Sequence, residues 1–272
     1  MPTTWNPSDV GGSATFTLTN GNLTATITSA TGSFNVRSVD RVSTGKYYWE
    51  ITYGATYTAL QGLGISTIST NLGSSSNQTA ANGLFTAQVS NAGIYAGGVS
   101  TGISLGTITA GTVLCVALDM TNRLIWFRNG AAGNWNNNAG YSPAAGTGGV
   151  ALTFCGPGFP AYAFYTTSNA TNGTSVIANF GATAYAGTAP SGFGNLPTGT
   201  TSTSNEIATQ LALEQWASTI PPNMQATQLA LEYWVSNNVT TPQMIATQLG
   251  VEMWAGVAAA IAAQQARAMI LA

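Results

Sequence analysis

Residues 110–130 read AGTVLCVALDMTNRLIWFRNG. Two apolar runs, TVLCVALDM (112–120) and RLIWFRNG (123–130), stand on either side of a short polar break. Each is rich in β-branched, aromatic and aliphatic residues, too short for a helix of ordinary length, and bounded by turn-forming residues. Asp119 and Asn122 bracket the break, and their side chains favour a tight turn. The stretch predicts an antiparallel hairpin with Trp126 and Phe127 as core candidates, since large aromatics in uncharged strands are buried far more often than they touch ligands.

The same texture extends in both directions. From Ala14 to about Phe193, strand follows strand between Gly, Asn and Ser turns. ATFTLT and LTATIT flank Asn20-Gly21, a hairpin signal. YYWEITY (47–53), GLGIST (62–67), GIYAGG (93–98), GVALTFC (149–155), AYAFYTT (161–167) and SVIANFG (175–181) complete the series. No helical period persists in it. An all-β, antiparallel sandwich is expected, with helix nearly absent.

The chain has 272 residues, of which 44% are hydrophobic, 10% aromatic and only 5% charged. Ordinary soluble domains carry roughly 25% charge. There is no histidine, so imidazole metal sites, His-based triads and imidazole proton shuttles are excluded. A net charge of -2 lacks the basic footprint that nucleic acid requires. The charge is uneven: residues 1–200 carry Asp9, Asp40, Glu50 and Asp119 against Arg37, Arg41, Lys46, Arg123 and Arg128, whereas residues 201–272 carry four glutamates against Arg267. A surface kept wet by hydroxyls and amides, with little self-repulsion, suits a protein fixed in an assembly.

Cys115 and Cys155 lie in apolar runs and are expected as buried free thiols rather than a disulfide. No basic-then-apolar N-terminal leader is present. The Ala-rich end, residues 255–272, predicts a helix too polar at its centre, with Gln264, Gln265 and Arg267, to span a membrane.

Around Thr188–Asn205 the sequence turns to APSGFGNLPTGTTSTSN, a linker composition. The expected division is a sandwich over 1–195, a linker over 196–205, a repeat segment over 206–254 and a C-terminal helix over 255–272. The repeat segment holds three copies: ATQLALEQW (208–216), ATQLALEYW (226–234) and ATQLGVEMW (246–254). Their residue types favour helix, with Pro222 and Pro242 suited to a first turn. Their period favours strands: Thr247, Leu249, Val251 and Met253 alternate with Gln248, Gly250, Glu252 and Trp254, and a helix would leave no clean apolar stripe. Short strands are the expectation. Each copy is too short to bury its own face. Trp216, Trp234 and Trp254, with Leu211, Leu229 and Leu249, are therefore the candidate assembly contacts.

The segment from about Gly12 to Gly194 resembles a SPRY domain, a concanavalin-like β-sandwich. GKYYWEI (45–51) is similar to the family's strand beginning G-K-x-Y-W-E, and GLGI (62–65) to the G-x-G strand after it. AGTVLCVALDMTNRLIWFRNG resembles its core hairpin, and VIANFG (176–181) with PSGFGNL (190–196) resembles its closing segment. The resemblance implies a sandwich whose loops at one end read a partner. It does not say which residues do so. The TQ-x-x-x-E-x-W repeats and the Thr/Gly/Asn-rich composition look like bacteriophage virion proteins, implying location in the virion, capsid or tail proteins as partners, and homo-oligomers in the particle.

Chemistry has few carriers. Glu50 is an acid inside an aromatic strand, expected to pair with Arg41, Lys46 or Arg128 and to be structural. No strand places two acids at alternate positions, as a glycosidase of this architecture would. Neither a metal site nor a cofactor is expected, since ligands do not cluster and the Gly-rich GGVSTGISLG lacks phosphate-loop context. In AAGNWNNNAGY (131–141), Trp135 with Asn134, Asn136 and Tyr141 has the chemistry of a sugar platform, an aromatic face beside amide donors and acceptors. Its alternative is that Trp135 folds back and caps the sandwich. The functions left are a non-enzymatic phage structural protein anchored by its tail, whether capsid decoration, head fibre or tail component, and a receptor-binding module for host surface glycans.

Overall fold

The computed structural model describes residues 2–197, apart from 30, 57–60, 69, 74–83, 89–92 and 153–159. The three repeats, the C-terminal helix expected over 255–272 and Cys155 lie outside the described residues. Two antiparallel sheets stack face to face. The first runs in the order β1 (Trp5–Gly11), β4 (Phe34–Val42), β13 (Ala161–Thr167), β6 (Gln61–Ser66), β7 (Leu84–Gln88), β8 (Gly93–Ala96) and β9 (Val99–Ser104). The second runs β12 (Val150–Ala151), β11 (Leu124–Asn129), β10 (Val113–Asp119), β5 (Lys46–Tyr53), β14 (Ser175–Asn179), β3 (Thr24–Ile27) and β2 (Phe16–Thr19). Among the described residues the one helical element is a 3₁₀ turn, Trp135–Asn137. The all-β antiparallel sandwich is thus what the strand pattern demanded.

The hairpin of residues 110–130 lies in the second sheet between β12 and β5. β10 and β11 pair in unbroken register from Leu114↔Asn129 to Asp119↔Leu124. At the turn, Asp119 accepts the Asn122 backbone N–H and side-chain amide, both at 2.8 Å. Lys46 Nζ lies 3.2 Å from Oδ2, the oxygen that also accepts the Asn122 side-chain amide. Alternation along the strands then sorts side chains onto two faces. Trp49, Ile51, Leu114, Val116, Leu118, Ile125 and Phe127 enter the interior with Phe34, Val36, Leu63, Ile65 and Tyr165 of the first sheet. Their opposite neighbours, Tyr48, Cys115, Ala117 and Trp126, form a separate cluster on the outer face.

Four strands lie outside the expected series: β1, β4, β7 and β9. β1 precedes Ala14, where the series was expected to begin, and its register breaks between Trp5 and Val10, around Pro7. β4 carries Arg37, Asp40 and Arg41, which mask its alternation. Arg37 is nevertheless buried, with Asp9 at 3.2 Å and a 2.6 Å hydrogen bond to the Thr70 carbonyl. The predicted strand over 149–155 is a strand only at Val150–Ala151 among its described residues. Leu196, next to the expected end of the sandwich at residue 195, is 3% exposed and belongs to the main core.

Candidate functional site

Pairing places three chemistry-bearing side chains in one row. Cys115 of β10 stands between Glu50 of β5 and Arg128 of β11. The next row on the same face holds Tyr48, Ala117 and Trp126. All six are buried, although they point away from the interior. They are covered by the segment that follows β14.

This strap, residues 180–196, holds on through main-chain and side-chain bonds. Glu50 accepts N–H bonds from Gly187 at 2.7 Å and Ala186 at 2.8 Å, and the Tyr48 hydroxyl at 2.6 Å. The Tyr185 hydroxyl donates to the Tyr48 carbonyl at 2.9 Å. Gly194 pairs with the start of β5, its N–H reaching the Lys46 carbonyl at 3.0 Å and its carbonyl accepting from Tyr48 at 2.8 Å. Arg128 donates to the Thr188 carbonyl at 3.3 Å and to the Tyr48 oxygen at 3.4 Å. Phe193 stacks edge-on to Trp126, with Lys46 Nζ 5.6 Å from its ring. Small residues in the strap are required here: a Cβ at Gly187 would fall 2.6 Å from the Arg128 guanidinium and 2.9 Å from the Ala131 carbonyl.

The expected ion pair of Glu50 is therefore corrected. Two backbone N–H groups and a phenol hold the carboxylate, and Arg128 reaches it through the shared Tyr48 oxygen. Hydrogen bonds donated to a carboxylate satisfy its oxygens where a cation is not in contact.

Most of the cluster's polar atoms are engaged within it or with the strap, although Arg128 Nε has no hydrogen-bond partner. Burial pushes the Cys115 thiol up, which outweighs the lowering by Tyr48, Arg128 and the Arg128 charge, so the nucleophilic thiolate is disfavoured. Burial also raises the Tyr48 phenol, as do its bonds to Cys115 and Glu50, so it stays a donor at neutral pH. A nucleophile and a base lie side by side, but the strap fills the space a substrate would need. Sequence reading found Glu50, with Arg128 among its candidate partners, and missed Tyr48 and Cys115 as its neighbours. The signal was available in the hairpin register, since a turn closing at Asp119–Leu124 forces Cys115 opposite Arg128.

The loop after β11 holds the sugar-platform candidates, and the structure divides them. Trp135 is half-buried; the Arg128 guanidinium lies 4.5 Å over its ring and Tyr48 meets it edge-on at 6.3 Å. Its ring caps the outer face. Asn136 turns inward, 3% exposed, accepting the Phe127 N–H at 2.9 Å and donating to the Gly148 carbonyl at 2.8 Å. Its amide is engaged within the fold, which removes it from the surface set with Asn134 and Tyr141. Asn134 is exposed and makes no cap hydrogen bond. Tyr141 is 37% exposed. The assembly candidates Trp216, Trp234, Trp254, Leu211, Leu229 and Leu249 lie outside the described residues.

Charge has a consistent placement. Asp9, Arg37, Asp40, Arg41, Lys46, Glu50, Asp119, Arg123 and Arg128 are each buried or half-buried, so among the described residues no charged side chain belongs to the fully exposed surface. No cluster of three metal-ligating side chains occurs among them, and no helix there is long and apolar enough to cross a membrane.

No family model matches the sequence, and no curated protein matches it either. Solved structures do resemble it. The SPRY domain of human HERC1 shares 14% identity at a TM-score of 0.49, covering 64% of this chain and 96% of that one. The TRIM65 PSpry domain shares 12% identity at a TM-score of 0.45, with 66% and 90% covered. A human SPRY domain shares 11% identity at a TM-score of 0.42, with 64% and 99% covered.

Proposed function

We propose that this chain is a non-enzymatic structural protein of a bacteriophage virion, whose sandwich is displayed and whose C-terminal repeats dock it to capsid or tail proteins. The observation that carries the reading is the charge-poor exterior. A domain that withdraws all nine charged side chains of residues 2–197 from its fully exposed surface gives up the self-repulsion that keeps free proteins apart. Crowded display on a particle tolerates that surface. The chemistry-bearing row Glu50–Cys115–Arg128 supports the non-enzymatic half, being closed under the strap. The three ATQLxxExW copies support the docking half, because repetition multiplies weak contacts into avidity.

The test is incorporation. Particles assembled with a chain lacking residues 206–272 should carry none of it, while the truncated protein stays folded and soluble. Replacing Trp216, Trp234 and Trp254 together by Ala should have the same effect. Incorporation of the truncated chain at normal copy number would place docking on the sandwich and contradict the assignment.

A further inference from the structure

Tyr141 is the exposed aromatic side chain that the Asn-rich loop presents, and its setting is built rather than incidental. A Cβ at Gly148 would lie 2.0 to 2.4 Å from three atoms of the Tyr141 ring, so the ring lies against the bare Gly148 backbone. Gly148 takes a φ of +69°, a second reason for glycine there. One side of the ring is thus backed by main chain, and the residue as a whole is 37% exposed. Asn134, Asn137 and Asn138 of the same loop are exposed, and the Asn138 carbonyl accepts the Tyr141 N–H at 3.1 Å. The Asn138 side chain uses only its oxygen internally, accepting from Gly140 at 2.9 Å.

The loop is held from below. Asn136 and Asn137 adopt left-handed backbone, φ 47° and 55°, a conformation Asn accepts more readily than most residues. The buried Asn136 amide ties the loop to Phe127 and Gly148. Trp135, locked between Arg128 and Tyr48, anchors its base. A loop fixed in this way loses little freedom when it binds.

We propose that Tyr141, with Asn134, Asn137 and Asn138, forms a binding site for a neutral oligosaccharide. The phenol ring offers an apolar surface for the C–H face of a sugar, and the amides donate to and accept from its hydroxyls. Neutrality follows from the exterior, where no fully exposed charge among the described residues would attract or repel an ionic ligand. The platform is therefore Tyr141, while Trp135 is held against Arg128 and Tyr48. The site goes beyond the display reading and is independent of how the tail docks.

The experiment is binding of the full-length chain to an immobilised panel of neutral, sialylated and uronate-bearing oligosaccharides, at about 0.05 M and about 0.5 M salt. The expected result is capture by neutral glycans with no change between the two salts. Tyr141→Ala should weaken it by about tenfold or more, while Tyr141→Phe, which keeps the ring, stays within about twofold. Particle incorporation of the Tyr141→Ala chain should be unchanged, so that loss of sugar binding and loss of docking are read separately. The site is overturned if no neutral glycan is captured, if only anionic glycans are and salt releases them, or if Tyr141→Ala binds like the parent.

Discussion

The two faces of the second sheet are built from the same strands by opposite means. Its inner face is a run of apolar side chains, with Trp49, Val116 and Phe127 fully buried against the first sheet. Its outer face, one residue out of phase, buries Glu50, Cys115, Arg128 and Tyr48 under a strap of small residues. Burial of apolar area is forgiving of detail, whereas a buried polar network stabilises only when every member is satisfied. The comparison teaches that the residues here best suited to chemistry are engaged in closing the fold.

The largest effect should come from the inner face. Trp49→Ala removes a fully buried indole and should cost about 3–5 kcal/mol, measured as a shift in the denaturation midpoint at constant m-value. A loss comparable to that of a surface substitution would show that the interior collapses around the gap. On the outer face, Glu50→Gln replaces one acceptor oxygen by an NH₂ that confronts a strap N–H. Its expected cost is about 1–3 kcal/mol, with binding to any glycan or particle unaltered. Selective loss of binding by a stably folded variant would make Glu50 a functional group and reverse the comparison. Gly187→Ala probes the strap from the other side. The collision with Arg128 and the Ala131 carbonyl should cost about 1–3 kcal/mol, read in the same denaturation experiment.

A smaller effect is expected with acid. Burial pushes the Asp119 carboxyl up, but the Asn122 hydrogen bonds and Lys46 more than offset it and hold it below its ordinary 3.8. A carboxyl held lower when folded contributes stability that is present above the ordinary value and is lost as pH falls through the folded one. Stability should therefore decline below about pH 4, and Asp119→Asn should flatten that limb of the curve. An unchanged acid limb in Asp119→Asn would assign the decline elsewhere.

The inner face was legible in the sequence, and so was the turn. TVLCVALDM and RLIWFRNG alternate around a break whose Asp119 and Asn122 are turn residues by chemistry, and pairing follows with little freedom left. β4 was not legible, because Arg37 and Asp40 are read as solvent-facing until Asp9 and the Thr70 carbonyl are seen beside Arg37. The strap was legible in part, as the closing PSGFGNL (190–196) of the resemblance, but its role as a cover was not. Its Gly, Pro and Ala residues carry no strand or helix signal, and they are needed because little space separates Arg128, Tyr48 and the covering chain. Of the sugar-platform residues, the aromatic-plus-amide composition was visible but the division of labour was not. Which Asn turns inward depends on left-handed backbone at Asn136, and Gly148 lies against Tyr141 only once β12 returns the chain beside β11.

The central claim is that the Glu50 carboxylate holds the strap and is not free for chemistry. Amide hydrogen exchange at Ala186 and Gly187, compared between the parent chain and Glu50→Gln, measures it most directly. The account predicts protected amides in the parent and exchange at least about tenfold faster at these two positions in the variant, with Trp49 and Val116 unchanged. Fast exchange at Ala186 and Gly187 in the parent, or equal protection in both proteins, would contradict it.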